Sequence, residues 1–77
     1  MLTSSQCRAA RAMLEWSRLA LAEKSQVSER TIIDFERGAR TPQNSTKLAI
    51  KAAFKKAGIE FIDENGGGAG LRLRDTE

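Results

Sequence analysis

The chain has no histidine and a single cysteine. That scarcity excludes the common zinc sites and most nucleophile–base pairs. Glu15, Glu23 and Glu29 are scattered among basic residues, and so small a helical domain offers them no cleft. No catalytic residue, no metal and no cofactor is expected, and the chain does not read as an enzyme. The lone Cys7 also rules out a disulfide within the chain. It stands at helical spacing from Ala10 and Leu14, as a small buried hydrophobe would. The only aromatics are three Phe and one Trp, unclustered, which argues against a base-stacking surface for single strands. Trp16 is expected in the core, or as a lid between the first two helices. No apolar run is long enough to span a membrane, and none resembles a signal segment. With so little cysteine, the expected setting is a reducing cytoplasm.

Seventy-seven residues allow one domain with one small core, a size that often leans on oligomerisation. The net charge of +3 conceals an asymmetry. Residues 1–58 hold eleven Lys or Arg against five Asp or Glu, whereas residues 59–77 hold two against five. The surface facing a polyanion therefore belongs to the first part. The acidic remainder should do something else.

Apolar spacing places a first helix up to about Glu15, capped by Thr3, Ser4 or Ser5, with Cys7, Ala10, Arg11 and Leu14 inward. Ser17 caps a second helix ending near Lys24 or Ser25. Val27 leads to Ser28, whose hydroxyl can cap a third helix with Ile32 and Phe35 inward. Ala22 is small enough for the two helices to cross closely. Gly38 closes the third helix as a left-handed cap, and Pro42 bars continuation through the turn that follows. Two short helices joined this way can set the second in a DNA major groove. A fourth helix runs from Asn44 or Ser45 to Ala57, burying Ile50, Ala53, Phe54 and Ala57, and Gly58 stops it.

The periodicity then changes. Ile59, Phe61 and Ile62 are β-formers, and Leu71-Arg72-Leu73-Arg74 alternates strictly, so residues 59–77 read as a two-stranded hairpin with a fraying tail. The loop is Asp63 to Gly70. Its glycines are no nucleotide fingerprint, since no helix opens after them. A lone hairpin is marginal in water, so it needs cover from the helices, from a second copy, or from both. A shared sheet across a two-fold axis would use Ile59, Phe61, Ile62, Leu71 and Leu73 for dimerisation.

The run Trp16-Ser17, Leu21-Ala22, Val27-Ser28, Thr31-Ile32 and Phe35-Glu36-Arg37-Gly38 resembles the helix-turn-helix family of Cro-type phage repressors, the xenobiotic-response-element class. The likeness extends from Gln6 to about Gly58. Arg18 stands where that family usually has Gln, and would keep a phosphate contact. Gln26 stands where the turn usually has Gly, and must adopt or avoid a backbone shape that Gly supplies cheaply. The resemblance implies an ion pair between Arg11 and Glu36, joining the first and third helices. Otherwise Arg11 snorkels along its aliphatic stem to water. The resemblance also allows a fifth helix, by a break near Leu48. The fold expected is mainly α: a four- to five-helix domain over 1–58, its helix-turn-helix unit at 17–38, and the hairpin.

The function expected is sequence-specific binding of double-stranded DNA by a homodimer, as a repressor or dual regulator of transcription. One such helix reads few base pairs, and a dimer doubles the contacts at half-sites one helical turn apart. Helical geometry turns Glu29, Arg30, Ile33 and Asp34 outward for base readout. Arg30 can fork onto guanine, Glu29 can accept from a cytosine amino group, and Ile33 can meet a thymine methyl. Asp34 can orient Arg30. Ser17, Arg18, Ser28, Thr31, Arg37, Arg40 and Lys47 are candidates for phosphate contact or positioning. No membrane and no small-molecule ligand is indicated. The alternative, favoured by acidic Glu29 and Asp34, is an antitoxin-like or regulator-sequestering protein-interaction module.

Overall fold

Hydroxyls start three of the four helices. The computed structural model describes residues 2–62 and 70–73. Thr3 caps α1 (Ser4–Leu14) with a reciprocal box, its Oγ1 accepting from the Gln6 N–H at 3.1 Å and Gln6 Oε1 accepting from the Thr3 N–H at 3.0 Å. Ser17 Oγ accepts from the Ala20 N–H, capping α2 (Arg18–Ser25). Ser28 Oγ accepts from the Thr31 N–H, capping α3 (Glu29–Glu36). Only α4 (Asn44–Lys56) begins without a side-chain cap. It is unbroken at Leu48, so the described residues contain four helices and no fifth.

The helix ends separate glycine from its substitutes. Gly38 takes φ 77° and ends α3. Glu15, after α1, and Gln26, in the turn after α2, take φ 57° and 62°. Gln26 has thus adopted the shape that glycine supplies more cheaply. A left-handed L-residue costs roughly 1–2 kcal/mol, against about 0.5–1 kcal/mol for the extra unfolded freedom of Gly. Gln26→Gly should therefore raise unfolding stability by about 0.5–1 kcal/mol, measurable by urea denaturation. A fall instead would mean that the exposed bond from Gln26 Nε2 to the Glu23 carbonyl outweighs the strain.

Leu2, Cys7, Ala10, Leu21, Ile32, Phe35, Ile50, Ala53, Phe54 and Ile59 form the core. Phe54 is its centre, with Trp16 stacked at 5.8 Å between ring centroids and Phe61 tilted at 6.3 Å. Trp16 therefore packs against the core, as expected, and does so by covering Phe54 of α4. Lys24 Nζ lies 5.2 Å over the indole.

The hairpin is present as β1 (Ile59–Ile62) and β2 (Gly70–Leu73), antiparallel, with Ile59 opposite Leu73 and Phe61 opposite Leu71. Gly70 belongs to β2 and not to the loop. The expected loop at 63–69 and the tail at 74–77 lie outside the described residues. Residues directly opposite share a face, so Ile59, Phe61, Leu71 and Leu73 look inward and Glu60, Ile62, Gly70 and Arg72 look outward. Arg72 pairs across the strands with Glu60 at 2.6 Å. Of the five residues expected at a dimer interface, Ile59 is committed to the chain's own core, and Ile62 lies on the opposite face from the other four. β1 packs against α4 and β2 against α1. The helices thus supply part of the cover that a hairpin needs.

Candidate nucleic-acid interface

α3 is eight residues long, and burial of Ile32 and Phe35 fixes which side faces out. Glu29 and Arg30 are exposed, while Ile33 and Asp34 are half-buried. Arg30 has a side chain 76% exposed, with Nε 3.5 Å from the Asp34 carboxylate, which is only 16% exposed. Arg37 approaches the other oxygen of Asp34 at 3.9 Å. The Asp34 carbonyl also accepts the N–H groups of Ala39 and Arg40 as the chain leaves the helix. Asp34 is therefore a tether beneath the arginines, so its chemistry fits orientation better than base contact.

These residues border an open groove of about 600 Å³, lined by Arg30, Thr31 and Asp34 on α3 and by Arg40, Thr41, Pro42, Gln43 and Thr46 opposite. α3 thus forms one wall of the trough, and the turn after it with the start of α4 forms the other. Lys47 is not in its lining. It borders a separate groove of about 160 Å³ with Leu2, Asn44, Leu48 and Lys51.

The hydroxyl candidates are partly engaged. Ser28 O–H donates to Thr31 Oγ1 at 2.8 Å while its oxygen caps α3. Its proton is thus used internally, and Thr31 keeps its own to donate. The Ser17 oxygen is occupied as a cap, with its proton free to turn outward.

Arg11 and Glu36 meet. Arg11 Nε and Nη2 donate to the two carboxylate oxygens of Glu36 at 2.8 Å each, and Nη1 donates to the Trp16 carbonyl at 3.0 Å. Cys7 Sγ adds a third donor to Glu36 at 3.1 Å. Arg8 donates to the Glu36 backbone carbonyl. Burial alone would push the Glu36 carboxyl up. The hydrogen bonds from Arg11 and Cys7, with the charges of Arg11 and Arg18, outweigh it and hold the group below the usual carboxylate range. Arg18 reaches the same carboxylate through Nη1 at 3.6 Å, with its side chain still 45% exposed. Its remaining donors are available for a phosphate.

Sequence reasoning missed Cys7 as a donor, Arg8 as a cap on α3, and Thr41, Gln43 and Thr46 as groove walls. Only the helix-terminal position of Gln43 and Thr46 could have suggested them. Among the described residues, no cluster could hold a metal ion and no helix is long and apolar enough to cross a membrane.

A family model described as helix-turn-helix matches residues 8–55. The match runs from the second turn of α1 to the last turn of α4, including both walls of the groove. No curated protein matches the chain.

Proposed function

Because the chain belongs to the helix-turn-helix family of Cro/C1-type repressors, a family of DNA-binding transcription regulators, we propose that it binds a two-fold operator as a homodimer and represses, or both represses and activates, transcription there. The observation that carries this reading is Arg30, nearly free of neighbours near the start of α3 and held from below by Asp34. An Arg so placed can fork onto guanine O6 and N7. Ile33 stands one turn on for a thymine methyl. Arg18, Arg37, Arg40, Thr31 and the Ser17 and Ser28 helix starts position the duplex through its phosphates. Glu29 lies in the first turn of α3, where an acidic side chain suits the helix dipole, and it discriminates by accepting from cytosine or repelling other registers.

The first test is a protection footprint on the DNA upstream of the chain's own coding sequence, followed by affinity against salt. Each phosphate contact steepens the fall of affinity with salt. Arg18→Ala and Arg40→Ala should each weaken binding to all sequences alike and lower the salt slope by about one unit per subunit. Altered sequence preference at an unchanged slope would count against their positioning role. The protein-interaction alternative rests on exposed, acidic Glu29. It requires that no duplex be bound with a salt-sensitive affinity.

A further inference from the structure

The apolar face of the hairpin outruns its cover at β2. Ile59 and Leu73 are direct partners on the inner face, yet Ile59 is 1% exposed and Leu73 47%. The two strands also differ along their outer edges. Beside β1, Lys51 and Lys55 of α4 border a groove with Ile59, Glu60 and Phe61, and Lys51 Nζ sits 5.2 Å over the Phe61 ring. Charged side chains along a strand discourage another strand from adding there. β2 instead presents Gly70, where an added Cβ would meet only Ile62, and half-exposed Leu73.

Resting on the homodimer reading above, we infer that a second copy of this chain adds to β2, giving the strand order β1-β2-β2-β1. In an antiparallel pair, opposed residues share a face, and a slip of one residue turns every side chain over. A two-fold axis can therefore oppose Leu71, Arg72 or Leu73 to its own counterpart, but cannot fall between residues. Centring on Leu71 would oppose Arg72 to Gly70, and centring on Leu73 would leave Leu71 with no described residue opposite. Centring on Arg72 opposes Leu71 to the partner's Leu73 twice over, completing an apolar inner row. It also brings two guanidinium groups together on the outer face. Each is already carried by its own Glu60, which accepts from Arg72 Nη2 at 2.6 Å and Nε at 3.0 Å. The outer row then reads Glu60, Arg72, the partner's Arg72, the partner's Glu60, and its charges balance.

The test uses the full chain. In a Cys7→Ala background, checked for folding by circular dichroism, Arg72→Cys should oxidise to a disulfide-linked dimer at least tenfold faster than Glu60→Cys. Opposed antiparallel residues lie within the Cα separation that a disulfide needs. With Cys7 retained, Glu60→Gln should raise the dimer dissociation constant about fivefold at low salt by uncovering the arginine repulsion. Added salt should restore it, and sedimentation equilibrium reads both. A wild-type chain that is monomeric throughout the micromolar range overturns both the β2 pairing and the homodimer. A dimer that crosslinks through Glu60→Cys in place of Arg72→Cys overturns the β2 edge and leaves the homodimer standing. The β2 edge is likewise overturned if neither variant crosslinks and Leu48→Glu separates the copies.

Discussion

Arg11→Met should cost the domain several kcal/mol, approaching the roughly 3–5 kcal/mol lost when one member of a fully buried ion pair is removed, because Glu36 is buried while Arg11 keeps a partly exposed edge. A chain of this length typically has about 4–12 kcal/mol in all, so much of the population should unfold under mild urea. The cause is what the substitution leaves behind. Glu36 would keep its charge with the Cys7 thiol and a distant Arg18 as partners, and the Trp16 carbonyl would lose its donor. Glu36→Gln removes that stranded charge. The double variant Arg11→Met/Glu36→Gln should therefore be more stable than the sum of the single losses allows. Strict additivity in urea titrations would mean that the pair contributes nothing as a pair.

The same pair sets a pH dependence. The Glu36 carboxyl is held below its ordinary value of 4.5 in the folded chain, so the unfolded chain takes up a proton first. Its contribution to stability is full above the unfolded value and is lost as pH falls through the folded one. Wild-type protein should accordingly lose stability on acidification by more than Glu36→Gln does. Parallel curves would contradict this.

Arg30→Ala should abolish discrimination at one base-pair position in each half-site. A bidentate guanine contact is worth roughly 1–3 kcal/mol, so two half-sites lose about 2–6 kcal/mol of specificity. The fold should be untouched, because the side chain is exposed and tied only to Asp34. Binding to a set of single-base operator variants measures the effect. An unchanged ranking would remove Arg30 from base readout, whatever happened to overall affinity. Asp34→Asn should give a weaker version of the same loss, since it frees Arg30 without deleting it.

What could be read from the sequence was what depends on near neighbours. Ser17 and Ser28 announce their helices because a hydroxyl caps an N–H three residues on, whereas the first helix offered Thr3, Ser4 and Ser5, of which Thr3 is the cap. The inward face of α3 followed from Ile32 and Phe35 alone. The left-handed turns at Glu15 and Gln26 were less legible, since neither carries the glycine that usually marks such a bend. Trp16 was legible as a core residue, but its partner Phe54 was not, because it comes from another helix far along the chain. Spacing turned Asp34 outward and set it one turn from Arg30, but could not show the turn that folds back onto its carbonyl. The Arg11–Glu36 pair came from resemblance, and spacing alone left Arg11 free to reach water. Nothing local marks Cys7 as the third donor to Glu36.

That third donor has a practical consequence. Burial, and then the hydrogen bond to Glu36, push the Cys7 thiol far above its ordinary value, and only a thiolate attacks a labelling reagent. While α1 and α3 stay docked, the sulfur is silent. Each labelling event must wait for the helices to part, so the rate of modification counts openings of the domain. The chain carries its own clock for breathing, and an adduct on that sulfur would wedge the two helices apart after the first tick.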